Sequence, residues 1–436
     1  MNNISLPYLS LIKNREGVDI IKKREEKQLP NTEYEKIIKN VDEKGIVQFT
    51  QDLVRIKSVF HPEKEGYNEE KVAHFVAKKL KDMGLKVVVE EVVPGRPNVI
   101  AVLKGSQEGK NLLFEAHTDV VTEGNPREWK YPPFDAIIHE GNIYGRGSCD
   151  AKGNLAAMVY AVKAILDSKT DFKGNIILCI PVDEEGMMLG IKNFIYQGWA
   201  DEVDAAIICE PEENNICITQ KGAMRIMIKV KGKMAHGAMP ETGINPNWSV
   251  AKILIALERL QKKEIKKLGR HEYLGFPSFT PTILRAPTKG EAQINVIPQE
   301  YMSTVDIRTV PGQEHNQLKK AILNIFKKIS QKDQHFQASM EVIEERPWTE
   351  TSPDEPIVKH AAQAFQYITK KEPIYNGVPG ATDGTFLKSW KNIPIVTIGA
   401  GNRLIPHQVD EYVEIKELIE TVKIYALTAM LFLNEN

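Results

Sequence analysis

The chain has 436 residues, more than one hydrophobic core accommodates, so two domains or more are expected. Its 57 Lys and Arg against 58 Asp and Glu leave no basic excess to hold phosphates, which argues against nucleic acid as a partner. Nowhere do about 18 apolar residues run together, and the opening "MNNISLPYLSLIKNREGVDIIKKREEKQLP" has only short apolar runs broken by charges, so neither a membrane span nor a signal peptide is expected.

In chain order, the segment to Lys39 is charged and patchily apolar, either an added helix that docks or a frayed arm. From there, runs that read as buried strands alternate with segments of helical period: "PNVIAVL", "NLLFEAH", the helix "GNLAAMVYAVKAILDS", "NIILCIPV" and "DAAIICE". This alternation is the signature of an α/β fold. In the helix, Leu155, Met158, Val159, Val162 and Ile165 fall on one stripe, a face for packing on the sheet. Between about Thr219 and Glu345 the texture changes to strand, helix, strands, helix, strand, an α+β arrangement of the ferredoxin-like kind inserted into the α/β domain. After about Arg346 the first domain resumes, passes through "IPIVTIGA", and closes with the apolar helix in "KELIETVKIYALTAMLFLNEN". The expected division is therefore an extension at 1–39, a first domain at 40–218 and 346–436, and an insertion at 219–345. Cys149, Cys179, Cys209 and Cys217 are too few and too oddly spaced for a disulfide framework or a zinc knuckle, and they fit a reducing cytoplasm.

Open α/β sheets carry their chemistry at the carboxyl ends of strands. Here "NLLFEA" ends in His117, followed by Asp119; the hairpin-like "FDAIIHEGNIYGRGSCD" ends in Asp150; "NIILCIPVD" ends in Glu184 and Glu185; "DAAIIC" ends in Glu210; and "IPIVTIGAGNRLIP" ends in His407. Each has an ordinary explanation alone: a solvated imidazole, an N-cap, a polar turn. Together they would concentrate negative charge on one edge unless a cation neutralised it. Two His and three carboxylates suit zinc or a similar divalent ion, and five candidates exceed the three protein ligands of a single catalytic site, which favours two ions sharing a carboxylate.

The segments "AHTDVV", "PPFDAIIHEGNIYGRGSCDAKG", "PVDEEG", "ICEP", "GKMAHGAMPETGINP", "NVIP", "VDIRT" and "IPHQVDEY" resemble, in order and spacing, the dinuclear-zinc amidohydrolases that include acetylornithine deacetylase, succinyl-diaminopimelate desuccinylase, aminoacylase and the carboxypeptidase G type. The resemblance covers roughly residues 45 to 433. It implies a zinc-peptidase-like catalytic domain with a central mixed sheet, and an inserted lid that also makes a homodimer. It further implies that Asp150 bridges two ions, that His117 and Glu210 complete one site and Glu185 and His407 the other, and that Asp119 holds the His117 ring by its second nitrogen. Members tend to carry a cis peptide after the bridging Asp, here Asp150 to Ala151. The chain departs from the usual pattern at Ala116, where Gly is common, and at Ala151, where Met is common.

Glu184 is left over as general acid and base: it would take a proton from water acidified by the ions and return it to the departing amine. Neighbours on a regular strand point to opposite faces, so both Glu184 and Glu185 address one site only if the backbone turns, which Gly186 would permit. In the insertion, His236 resembles the lid histidine that reaches across a dimer to stabilise the oxyanion in the partner's site. Arg308 and Asn295 resemble residues that hold a substrate carboxylate; the ordinary alternative for Arg308, the weaker of the two readings, is a surface strand residue paired to a neighbouring acid. In "NGVPGATDGTF", backbone amides around Gly380 and Thr382 are candidates for a carboxylate, with Asp383 near the metals, although a plain turn before a helix explains the stretch nearly as well. The resemblance implies an N-acyl amino acid substrate with two zinc ions, for which cobalt or manganese would substitute. A dipeptidase, carboxypeptidase or broad aminoacylase is the alternative. A non-catalytic zinc scaffold would be expected to lose Glu184 first.

Overall fold

A computed structural model describes residues 31–435. The part of the expected arm up to residue 30 lies outside the described residues. Its last turns, Asn31–Lys39, form a helix whose Tyr34 and Ile37 are buried against the helices Lys152–Ser168 and Ile415–Leu433. This stretch belongs to the first core.

That core is built on a nine-stranded mixed sheet. Along its main path the strands lie in the order Lys86–Val93, Arg96–Lys104, Lys173–Ile180, Gln107–Glu115, Ala205–Ile208, Ile395–Thr397, Ile216–Gln220 and Thr349–Glu350, with Tyr375–Val378 also paired to Ile216–Gln220. The four neighbours 173–180, 107–115, 205–208 and 395–397 run parallel, so their carboxyl ends share one edge. The apolar runs toward their carboxyl ends follow from burial on both faces. Leu112 and Phe114 point to the side covered by the helices Glu43–Arg55, Glu70–Asp82, Lys152–Ser168, Pro356–Thr369 and Ile415–Leu433, while Leu113 between them points to the side covered by Leu189–Tyr196 and Gly384–Lys391.

The helix Lys152–Ser168 differs from the expected amphipathic stripe, being buried nearly all round. It lies at the centre of its layer against Glu43–Arg55 and Ile415–Leu433, and Ala156, Ala157, Ala161 and Ala164 let those neighbours approach.

The strand Ile216–Gln220 leads within two residues into a second sheet, ordered Ser278–Arg285, Glu300–Thr309, Gly222–Lys231, Gln337–Arg346 and antiparallel throughout. Two helices, Pro246–Leu268 and His315–Ser330, pack on one face over Met224, Ile226, Ile228, Val230, Val305 and Ile307. Asn245 caps the first by accepting the Asn247 N–H, with Pro246 in the first turn. Chain order and spatial order together give the ferredoxin-like arrangement. The opposite face carries Arg225, Asp306, Arg308, Glu344 and Arg346, paired both along and across the strands.

Candidate metal centre

The parallel strands deliver their polar ends to one place. His117, two residues beyond Glu115, is fully buried; its Nε2 lies 3.0 Å from Asp150 Oδ1 and 3.7 Å from Glu210 Oε1. His407 Nε2 lies 2.9 Å from Glu185 Oε1 and 3.3 Å from Asp150 Oδ2. Two groups of donor atoms result, His117–Asp150–Glu210 and Asp150–Glu185–His407, each with its atoms within 4.8 Å of one another, and Asp150 belongs to both. The Asp150–Ala151 peptide is cis.

The electrostatics of these side chains describe a site short of positive charge. Burial raises the Glu184 and Glu210 carboxyls well above their ordinary value, opposed by His117 and reinforced by neighbouring carboxylates. Glu185 is raised by burial and by Asp150. Hydrogen bonds donated to Asp150 and Glu185 push His407 up to about 10. At His117, burial works downward but is overcome by Glu210, Asp119 and Asp150, so the imidazole lies well above its ordinary range. A bound cation would relieve this crowding of carboxylates. Imidazole with carboxylate oxygens is a donor set for zinc and its neighbours in the first transition row.

Asp119 sits otherwise than expected. The His117 Nδ1–H meets the backbone carbonyl of Asp119 at 3.0 Å, with the carboxylate farther off at 3.5 Å. That bond still fixes the tautomer, leaving Nε2 free to face Asp150. The Asp119 carboxylate instead accepts the N–H groups of Glu184 at 3.2 Å and Glu185 at 3.0 Å. It therefore grips the turn that presents both glutamates. The turn also departs from expectation: the positive φ falls on Asp183 (70°) and Met188 (54°), not on Gly186. Gly186 is needed for space, because a Cβ there would come 2.5 Å from Asp183 Oδ1. Two left-handed residues cost about 1–2 kcal/mol each. Two charge-assisted bonds to Asp119, at about 1.5–3 kcal/mol each, suffice to hold the turn.

Several supporting residues escape sequence reasoning. Arg96, buried, forks onto Glu69 and reaches Asp183 Oδ1 at 2.8 Å, fastening the start of the turn. Arg346 donates to the Gly186 carbonyl at 2.6 Å, tying its end to the second sheet. Glu411 accepts backbone N–H groups beside Asp150. Among the described residues, Glu115 and also Asp383, which the sequence does place near the metals, are buried with no hydrogen-bond partner for any carboxylate oxygen; burial holds Glu115 up to about 8 and Asp383 well above its ordinary value. The partners of Arg96, Arg346 and Glu411 lie far along the chain, so only folding reveals them.

The lid candidates are placed differently. His236 and Asn295 come together, since His236 pairs with Val296 and the Gly237 N–H donates to the Asn295 carbonyl at 2.7 Å, but both side chains are exposed. Among the described residues, no hydrogen bond or ion pair joins either to the cluster. Arg308 is paired to Asp306 at 2.7 Å and 3.2 Å. Gly380 faces open space. The N–H and hydroxyl of Thr382 are both spent on Gln220 Oε1, at 3.4 Å and 2.8 Å, so its amide is not the free donor expected.

The sequence profile of "Peptidase family M20/M25/M40" matches residues 113–431. The chain belongs to this family. Succinyl-diaminopimelate desuccinylase of Orientia tsutsugamushi (strain Ikeda) is 30% identical over 411 residues, 91% of this chain and 98% of that protein. The M20 family metallo-carboxypeptidase Sso-CP2 from Sulfolobus solfataricus superposes with a TM-score of 0.74 at 19% identity, over 89% of this chain and 99% of that one. The YXEP protein of Bacillus subtilis, described as a dinuclear metal binding peptidase, superposes at 0.67 and 16% identity over 90% and 98%. As an M20 member the chain is a metallohydrolase acting on amide bonds of small molecules, and divalent metal is the cation that its paired donor groups fit.

Proposed function

We propose that the chain hydrolyses the amide bond of an N-acyl amino acid, in the manner of a deacetylase or desuccinylase, with two zinc ions held by His117, Asp150 and Glu210 and by Asp150, Glu185 and His407. The observation that carries this reading is the sharing of Asp150 by both donor groups, with Glu184 buried alongside and left out of each. Bound ions would supply Lewis acidity to the scissile carbonyl and acidify water.

The protein's own work is positional. Asp119 and Gly186 fold the turn so that Glu185 faces the donors while Glu184 is kept for protons. Glu184 takes the proton of the attacking water and hands it to the departing amine. Arg308 and Asn295 are assigned to the substrate carboxylate, with Gly380 on the pocket wall, and His236 to the oxyanion. The exposure of His236 and Asn295 supports their action in a partner's site, hence a homodimer through the lid at about residues 219–345. The edge strand Ser278–Arg285 with exposed Ile283 and Leu284, and Trp248 and Ile255 exposed on the adjoining helix, offer such a contact. Four free buried cysteines accord with a cytoplasmic setting. Among the described residues no helix is long and apolar enough to cross a membrane.

The substrate follows the Orientia relative, whose name specifies desuccinylation. A panel of N-succinyl-diaminopimelate, N-acetylornithine, other N-acetyl amino acids and small dipeptides, assayed with zinc, cobalt or manganese, tests it. The expected result is highest kcat/KM on an N-acyl amino acid with zinc. Preference for dipeptides would make the chain a peptidase, and no hydrolysis across the panel would defeat the assignment.

A further inference from the structure

We propose that Glu411 is the positioning residue for Asp150, and that the segment His407–Glu411 clamps both sides of the metal centre. The proposal rests on the two-cation reading above. Glu411 is fully buried. Its Oε1 accepts the N–H groups of Gly147 at 2.9 Å, Cys149 at 3.1 Å and Asp150 at 3.1 Å, while its Oε2 meets the Arg146 guanidinium at 2.5 Å. Its backbone carbonyl accepts the Gly145 N–H at 2.8 Å. The loop that presents Asp150 is thus wrapped around one carboxylate.

The rest of the segment is tied just as tightly. Asp410 accepts the N–H groups of Lys130 at 2.8 Å and Tyr131 at 3.3 Å, and His407 reaches Glu185 and Asp150. His407 and Asp410 both hold positive φ, 67° and 55°. Four residues after the imidazole of one donor group, the chain therefore fixes the backbone of the carboxylate shared by both groups. Arg146 is also buried, and Glu411 is its one ion-pair partner among the described residues, so the clamp needs a charge and not only an acceptor of the right shape. Three N–H dipoles converging on Oε1 add to that need. Residues that orient a ligand typically change metal affinity about 10- to 100-fold when altered.

The test uses the full chain, stripped by chelation and titrated with Co²⁺ by calorimetry and visible absorption. Glu411→Gln keeps the volume and an acceptor oxygen but removes the charge. It is expected to weaken Co²⁺ binding about 10- to 100-fold and to alter the Co²⁺ absorption bands, with the melting temperature of the stripped protein near that of the wild type. Wild-type affinity and spectrum in folded Glu411→Gln would overturn the proposal. Should that variant fail to fold, Arg146→Gln/Glu411→Gln removes both buried charges together; the same loss of affinity is expected, and wild-type binding again overturns it. Asp150→Asn, titrated in parallel, separates the two readings: if it binds like the wild type, the two-cation reading fails and takes this one with it. If Asp150→Asn loses metal while Glu411→Gln does not, only the role of Glu411 fails.

Discussion

At the carboxyl edge of the large sheet, His117, Asp150, Glu184 and Glu210 are held by partners that are themselves buried; at the tip of the inserted sheet, His236 and Asn295 stand exposed and Arg308 is occupied by Asp306. The first region gathers four carboxylates and two imidazoles that repel one another or compete for protons unless cations arrive. Such an arrangement persists only when backbone N–H groups fix each carrier loop, as Asp119 does for Glu184 and Glu185 and Glu411 does for Asp150. The second region bears no such electrostatic burden. On the proposed function, substrate or a second chain completes it.

The largest effect is expected from removing Glu184, the acid in the cluster that belongs to neither donor group. Glu184→Ala is expected to bind two metal ions as the wild type does and to lose at least about a hundredfold in kcat, the low end of general acid-base contributions. Metal analysis with steady-state kinetics checks it. Near-normal turnover in the metal-replete variant would mean that Glu184 is only a buried acid.

The open region is probed by His236→Ala, expected to lower kcat by about 10²–10³, as for an oxyanion donor, with metal content unchanged. Its action across a dimer has a separate signature. Mixed after dissociation, His236→Ala and Glu184→Ala chains should regain activity that neither parent has, because one site of the mixed dimer keeps both groups. No recovery in a verified mixed dimer would return His236 to its own chain or to the solvent.

What the sequence made legible divides along the same line. A strand buried on both faces has to be an unbroken apolar run, so its polar terminus is conspicuous, and His117, Glu184, Glu185 and Glu210 are each read from such an ending. Asp150, on a hairpin loop, and His407, ten residues beyond its strand, need the other motifs for support. Glu411 was not found, because its meaning is the loop 265 to 261 residues earlier that it binds. Arg96, Glu69 and Arg346 were missed for the same reason. The helix Lys152–Ser168 misled because a stripe is informative only when the other face meets water. At Gly186 the sequence pointed to backbone freedom, whereas the structure uses the missing side chain.

Proton competition sharpens the contrast further. Without metal, hydrogen bonds donated to Asp150 and Glu185 keep His407 protonated up to about pH 10, and a metal-bound imidazole is neutral. Binding must expel that proton, so metal affinity is expected to rise with pH by about tenfold per unit for each imidazole released, levelling near pH 10. In the stripped protein the sign reverses. A raised imidazole pKa gives stability that is complete below the unfolded value of about 6.5 and fades as pH passes about 10. Calorimetric titrations from pH 6 to 8 in buffers of different ionisation enthalpy count the protons. A flat affinity would show that the histidines are already neutral.

The smallest effect expected lies in the pairing that occupies Arg308. Its guanidinium is bonded to Asp306, which also meets Arg225, and Arg225 and Arg346 both meet Glu344, so the open face of the inserted sheet is a continuous charge ladder ending on the Gly186 carbonyl. On the role proposed for Arg308, a substrate carboxylate must share that guanidinium or displace Asp306. Partly exposed pairs of this kind contribute about 0–1 kcal/mol, so Asp306→Asn is expected to lower KM by no more than about fivefold, with kcat unchanged. Arg308→Met should act in the opposite direction and more strongly, raising KM by about 10- to 100-fold, because a charge-assisted hydrogen bond is worth about 1.5–3 kcal/mol. Opposite movements of KM in the two variants would mark Arg308 as a substrate contact that Asp306 restrains. If KM stays still in both while the melting temperature falls, the ladder is scaffolding, and the substrate carboxylate is held elsewhere.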